Sequence, residues 1–422
     1  MHRSTTGLVA IAAAGALALV GCGTKGASES GGGSSTDKGG VKVGAGVTDS
    51  EITLGVMTDN SGVFKTLGLG IVQGNQLRVD DINAAGGVCG RKLKLDIVDH
   101  GYKAETAKTL YPQLAPKVAG MVQLLGSPVV AALKSDLAAD QLTATPASWS
   151  SELLDSPYVM IAGTTYDVEM IDGLSYLQDM GAIKDGDTVG HVYIDSEYGR
   201  NGLAGSKFYA SKHNLTVKEA KITATDTDLT NIITGFKSAG VKAILLTTTP
   251  TAAASAVAVD KALGMNVPVL GNNPTFAPAL LKSPAKDALS LLRVVGSSVP
   301  FAADVPKAQD VATKYKAKYT EPPNAGVPYG YAVADIWGQV LTQACADKDL
   351  TRAGVQAALK KTTHATTEGL TAPLDFSKPG APPTRQVYVA QPDAGSDGGL
   401  KYVKPLFESP EAGLYKAPHE QP

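Results

Sequence analysis

Hydroxyls, one indole and one amide follow the apolar runs of this chain at wide spacing. Ser127 comes after Met121–Leu125, Ala147-Ser148-Trp149 after Leu142–Pro146, Thr164 and Thr165 after Tyr158–Ile161, and Tyr198 after Val189–Ile194. Thr248 and Thr249 follow Ala243–Leu246, and Asn273 follows Val267–Leu270. Such groups donate and accept hydrogen bonds and offer a flat apolar face, but they carry no charge. That is chemistry for holding a molecule rather than for breaking one. A hydrolase would need a nucleophile, a base and oxyanion donors, and the Ser and Thr residues have no convincing His partner. No G-x-S-x-G elbow, HExxH pair, P-loop or spaced Cys/His cluster occurs. Gly68-Leu69-Gly70-Ile71-Val72-Gln73-Gly74 has a dinucleotide-like look, but its spacing is G-x-G-x-x-x-G and it lies well past the first strand. Close helix packing by small residues accounts for it better than a nucleotide site. The chain therefore calls for no cofactor and no metal.

The elements that must position these residues alternate. Ile52–Met57 is short and apolar, as a strand buried on both faces would be. A mixed segment from Gly68 to Ala85 ends at Gly86-Gly87, as a helix C-terminus favours, and Leu93–Asp99 gives a second strand. Strand, helix and strand in about fifty residues make a βαβ unit with a parallel sheet and a right-handed crossover. Helices are expected over Ala104–Val118, where Pro112 and Pro116 disturb the pattern, then over Val129–Ala139 and Gly202–His213, and around Leu229–Phe236 behind an Asp226 or Thr227 cap. Further helices are expected over Ala253–Leu263, Lys307–Tyr319, Tyr329–Ala346 and from a Thr351 cap to Lys361. Leu291–Val295 and Val299–Phe301 look like a return to the first set of strands. The last dozen residues look loose. Two successive sets of strands and helices indicate an α/β protein of two doubly wound parallel-sheet lobes joined by a hinge of crossing segments. In open α/β sheets ligands sit outside the carboxyl ends of the strands, where the residues named first all fall.

At 422 residues the chain exceeds one ordinary core. Its 38 basic and 40 acidic residues nearly balance, with no basic run, so nucleic acid is not an expected partner. Met1-His2-Arg3 followed by the small apolar run Gly7–Val20 reads as a targeting segment, too short to span a bilayer comfortably. It ends in Leu19-Val20-Gly21-Cys22, which resembles a bacterial lipobox, implying cleavage before Cys22 and lipid on its sulfur. Ser28–Gly46 is rich in Gly and Ser and reads as a flexible tether. Only Cys89 and Cys345 remain; outside the cytoplasm such a pair is either a disulfide or two buried thiols.

Ile82-Asn83-Ala84-Ala85-Gly86-Gly87-Val88-Cys89-Gly90-Arg91-Lys92-Leu93 resembles the IN-x-x-GG-V-x-G-(R/K)-K-L turn of the leucine/isoleucine/valine-binding family. The likeness runs collinearly from Ile52 to about Leu374. It implies an extracytoplasmic binding lipoprotein of an ABC importer, monomeric and non-catalytic, handing a small molecule to a membrane permease. Residues 1–22 would be the signal peptide, 23–48 the tether, 49–163 with 298–365 the first lobe, and 164–297 with 366–422 the second. A sensor receptor of the same fold is the alternative, and an α/β enzyme a more distant one. The resemblance assigns Ser127 to the ligand carboxylate, the Ser148-Trp149 position to the amino-acid contacts, and Tyr198 to closure from the second lobe. It places Asn273 where amino-acid-binding members have an acid for the ammonium. It also puts Cys89 and Cys345 in one lobe, implying a disulfide. Trp149 for threonine and Asn273 for an acid are departures. A buried ammonium needs a carboxylate or several acceptors. Unless Asp167, Glu197 or another carboxylate serves, the site favours a small carboxylate, amide or aromatic acid over leucine-like amino acids.

Overall fold

The computed structural model describes residues 34–421. Two sheets form the frame. The first is built from β3 (Glu51–Thr58), β4 (Lys92–Asp99), β5 (Gly120–Leu125) and β6 (Ala144–Ala147), in the order β4-β3-β5-β6 and parallel throughout. Helices α1 (Lys65–Ala84), α2 (Ala104–Leu114) and α3 (Ser127–Ala139) make its crossovers. Gly86 and Gly87 both hold positive φ (105° and 78°) after α1, the conformation that stops a helix at little cost to glycine. Pro112 is accommodated in α2, which ends at Leu114 and gives way to a 3-10 turn at Ala115–Lys117.

The second sheet has seven strands in the order β14-β13-β11-β10-β9-β7-β8. Its parallel part is β7 (Thr188–Ile194), β8 (Thr216–Ile222), β9 (Ile244–Thr247), β10 (Val269–Asn272) and β11 (Leu292–Gly296). Helices α4 (Tyr166–Asp179), α5 (Glu197–His213), α6 (Thr230–Ser238) and α7 (Pro250–Ala262) cover it. β13 (Val387–Pro392) and β14 (Leu400–Phe407) add an antiparallel edge, so this lobe is mixed rather than wholly parallel. α8 (Pro306–Lys318), α9 (Gly326–Ala346) and α10 (Arg352–Lys361) belong to the first-sheet side, α9 lying along α1 and α10 beside α9. A small three-stranded sheet joins β1 (Ser35–Thr36), β2 (Lys42–Val43) and β12 (Asp349–Leu350). A short helix, α11 (Pro410–Leu414), closes the chain.

Several expectations are corrected. Leu292–Gly296 does not return to the first lobe; it sits inside the second sheet, and the crossing follows it. Residues 34–48 are not a loose tether. Arg91, buried to 3% exposure, draws Asp37 into an ion pair, and β2 pairs with β12 at the edge of the body. The chain end is not loose either, because Tyr415 and Ala417 are buried and the Tyr415 hydroxyl donates to Asp167 at 2.9 Å. Tyr158–Ile161 makes only a bridge, Ala144 to Val159, and α6 begins after Leu229, later than the Asp226 or Thr227 cap. Cys22 lies outside the described residues.

Three segments cross between the sheets side by side. The Ser297 hydroxyl accepts from Thr164 N at 2.9 Å, and Ser298 bridges Thr371. Gly163 at the first crossing has φ 145°, and a Cβ there would lie 2.6 Å from Ser297 Oγ. Cys89 and Cys345 are joined, with Cα atoms 6.1 Å apart, the separation a disulfide spans.

Candidate functional site

The parallel strands that lead into helices α1, α3 and α5 end towards the seam between the sheets. β3 ends in a loop held by Asp59, fully buried, whose carboxylate accepts from the amides of Ser61, Gly62 and Phe64 at 3.2, 2.5 and 2.9 Å. The loop thereby fixes Phe64 at the start of α1. β5 ends at Gly126, whose φ of 102° no other residue adopts cheaply; a Cβ there would lie 2.7 Å from the Tyr102 ring. Ser127 then opens α3. Across the seam, α4 opens at Tyr166 and α5 at Glu197, so Tyr198 lies in the first helical turn rather than in an exit loop.

Rings fill the seam. Phe64 meets Tyr102 at 4.8 Å and Tyr198 at 6.3 Å between centroids; Tyr166 meets Tyr198 at 4.5 Å; and Trp149 meets Tyr329 at 5.0 Å and Tyr166 at 6.0 Å. Two neighbouring cavities remain. The smaller, about 10 Å³, is bounded by Phe64, Tyr102, Ser127, Ala147, Tyr166 and Tyr198. The larger, about 60 Å³, is bounded by Asn273, Gly296, Ser298, Tyr329, Tyr388 and Tyr402. Leu67 and Trp149 line both. No charged side chain among the described residues lines either one.

The hydroxyls of Ser127 and Ser148 are buried and 2.6 Å apart. A pair of hydroxyls spends one proton on its mutual bond, which leaves one O–H for a further acceptor. Burial raises the phenols of Tyr102, Tyr166 and Tyr198 above their ordinary value, so all three stay neutral donors at physiological pH. The partial positive charge at the start of α3 adds to this environment.

The residues named from the sequence divide here. Ser127, Ala147, Trp149 and Tyr198 line the smaller cavity; Ser148 backs it through Ser127; Asn273 lines the larger one. Thr164, Thr165, Thr248 and Thr249 line neither. The Thr164 hydroxyl donates to the Gln386 carbonyl at 2.7 Å, and that of Thr165 to Asp167. The Thr248 carbonyl accepts from the Tyr198 hydroxyl at 3.2 Å, which props that ring against the seam. Thr249 caps α7 by accepting from Ala252 N at 3.3 Å. Strand-exit position alone does not separate a lining residue from a local cap.

Sequence reasoning missed Glu169. This side chain is fully buried on α4 and accepts from Asn272 Nδ2 at 2.8 Å, Asn273 Nδ2 at 2.9 Å and Asn273 N at 3.4 Å. Burial pushes its carboxyl up to about 8, against the pull of those Asn donors. An acid therefore does stand behind position 273, contributed by a helix of the same lobe. Asp167, the other expected substitute, is saturated by Ser151, Thr165, Asn201 and Tyr415. Glu197 pairs with Arg200 in partly exposed surroundings. Phe64, Tyr102, Tyr166, Tyr329, Tyr388 and Tyr402 were missed as well.

Two sheets, three crossings side by side and a ring-lined seam define a hinged solute-binding protein. Residues 51–398 match the model of the periplasmic binding protein family, and the chain belongs to that family. It is 39% identical to a fatty acid ABC transporter substrate-binding protein from Thermomonospora curvata, with a TM-score of 0.89 over 91% of this chain and 99% of that one. It shares its fold with a branched-chain amino acid ABC transporter protein from Thermus thermophilus with bound valine (19% identity, TM-score 0.77, 87% of this chain and 99% of that one). A leucine-binding protein from Thermotoga maritima is similar in the same way (16% identity, TM-score 0.73, 85% and 99%). No curated protein matches. Binding a small molecule for an ABC permease is the role these findings give the chain, and such proteins are normally not enzymes.

Proposed function

We propose that this chain captures an apolar monocarboxylic acid, of the fatty-acid class, in the seam and delivers it to its permease without chemical change. The carrying observation is the lining: mostly aromatic and aliphatic, with Ser127, Asn273, Ser297 and Ser298 as its polar side chains and no charged side chain among the described residues that line it. A carboxylate needs only donors, which Ser127 and Ser148 can supply through their spare proton. An α-amino acid also needs an acceptor for its ammonium, and Glu169 is already engaged by two asparagines and held in the range where it keeps its proton. The Thermomonospora relative supports the reading by its name. Ser127, Ala147, Ser148, Trp149, Tyr198 and Asn273 form the proposed binding set, with Phe64, Tyr102 and Tyr166 added. Trp149 provides the test, since only one other tryptophan, Trp337, is present. Octanoate and longer acids should change Trp149 emission saturably and leucine should not; saturable binding of leucine or valine with none of octanoate would overturn the reading.

The anchoring reading goes with this one. Lipid on Cys22 would hold the protein, as a monomer, at the outer face of the cell membrane; Cys22→Ser should release it to the soluble fraction. The Cys89–Cys345 bond ties the turn before β4 to the end of α9. Cys345→Ser should lower stability by about 2–4 kcal/mol in denaturant unfolding, and an unchanged midpoint would argue against a formed bond.

A further inference from the structure

The two cavities of the seam are not independent, and their far end is not closed. Leu67 and Trp149 belong to both, so the space beside Ser127 and the space beside Tyr329 and Tyr388 lie on either side of these two side chains. Pro300, Leu400 and Tyr402 at its far side are shared again, with a surface groove of about 470 Å³ that Phe301 also lines. The three spaces therefore lie in a row, a track parted by the side chains they share, with hydroxyl donors at one end and a surface groove at the other. Its walls come from different lobes: Leu67 and Tyr329 from α1 and α9, and Tyr388, Ala390, Leu400 and Tyr402 from the antiparallel edge of the second sheet.

Resting on the carboxylate reading above, we propose that the track selects ligands by chain length. The carboxylate sits at Ser127, and the alkyl tail passes Trp149 and runs between Tyr329 and Tyr388 towards Tyr402. The opposite orientation would exchange the buried donors at Ser127 for two exposed lysines, Lys316 beside Asp397 and Lys401 at 3.7 Å from Asp393, where a carboxylate stays in water. Middle-track volume is about 60 Å³, room for a few waters. A tail of more than a few carbons thus needs the two walls to part, and the hinge between the lobes is what allows that. Ala390 and Ala325 are small lining residues from different lobes, where a larger side chain would narrow the passage, which makes them the gauge of tail length.

The test titrates the full chain with straight-chain acids from butanoate to hexadecanoate, read by Trp149 emission. In the unaltered protein affinity should rise roughly fourfold per methylene, the transfer gain of burying each one, until the track is filled. Ala390→Phe and Ala325→Leu narrow the track from different lobes and should each weaken the long acids tenfold or more while leaving butanoate unchanged. Tyr402→Ala widens the exit and should favour the longest acids, so a folding failure in one variant leaves two others to decide. Ser127→Ala should weaken all lengths by one common factor. The proposal is overturned if the narrowed variants show the same length dependence as the unaltered chain while acids still bind. Failure of every acid to bind the unaltered chain would instead remove the carboxylate reading, and this proposal with it.

Discussion

Two buried polar clusters border the same seam, and they are finished to different degrees. Ser127 and Ser148 form a hydroxyl pair at the start of a helix, with one proton left over and an aromatic cavity in front. Glu169, Asn272 and Asn273 form a carboxyl held by two side-chain amides and a backbone amide, all within the second lobe. The first can accept a new partner without giving up one it has. The carboxyl of the second can do so only by losing bonds already made inside a low-dielectric interior, where an orphaned polar group costs on the order of 1–3 kcal/mol; its one unpartnered buried acceptor is the amide oxygen of Asn272, which lines neither cavity. A buried acid beside a binding cleft is thus poor evidence for a cationic ligand when its oxygens are already spoken for, and a spare donor is better evidence for an anionic one.

The largest expected effect separates the clusters by pH. Glu169 has its carboxyl raised to about 8 by burial, above its ordinary value of 4.5. The folded state then keeps a proton that the unfolded chain gives up from about pH 4.5 upward. The associated stability is complete below that value and is lost as pH rises towards 8, at a slope of at most about 1.4 kcal/mol per unit. Asp172, also raised to about 8 by burial, contributes in the same window, so the comparison must be with a variant. Glu169→Gln should flatten the fall in denaturant stability between pH 5 and 8 relative to the unaltered chain. Parallel curves would mean that Glu169 is ionised in the folded protein, and the case against an ammonium ligand would lose its main support.

How far the sequence leads is itself uneven between the two clusters. Ser127 and Ser148 are visible because each follows a short apolar run, and strand exits are where parallel sheets place ligands. Asn273 is visible for the same reason. Glu169 is not, because an acid in the first turn of a helix is common enough to be explained by the helix dipole alone. The aromatic lining is harder still. Phe64, Tyr102, Tyr166, Tyr329, Tyr388 and Tyr402 come from six segments spread over most of the chain, and only the closing of one lobe on the other gathers them. The two-lobed α/β class was legible from alternation and from turns such as Gly86-Gly87. The antiparallel edge was not, because β13 and β14 have the pattern of any hairpin and nothing local says which sheet they join. The packed chain end escaped for a related reason: Tyr415 is anchored by Asp167, a residue remote in sequence.

A middle-sized effect tests the unfinished cluster directly. Removing both hydroxyls in Ser127→Ala/Ser148→Ala leaves no unsatisfied partner within the pair, so folding should be little changed. A hydrogen bond to a charged group is worth about 1.5–3 kcal/mol, so binding of octanoate should weaken roughly ten- to a hundredfold. Unchanged affinity in the double variant, measured by calorimetry, would move the carboxylate elsewhere along the track.

The smallest effect concerns a residue that shares the strand-exit position but not the role. Thr249 stands after β9 as Ser127 stands after β5, yet its hydroxyl accepts from Ala252 N and caps α7. Replacing a threonine N-cap by alanine costs typically about 1 kcal/mol. Thr249→Ala should therefore lower the denaturant midpoint slightly and leave acid affinity as it was. The contrast with Ser127 is instructive because both residues are nearly inaccessible and both begin helices at the carboxyl ends of parallel strands. What differs is where the hydroxyl is already committed: inward to its own helix at Thr249, and to a second hydroxyl at the cavity wall at Ser127. A loss of acid binding in Thr249→Ala with stability intact would show that strand-exit position outweighs hydrogen-bond commitment in this fold, and the division drawn between the two kinds of residue would have to be abandoned.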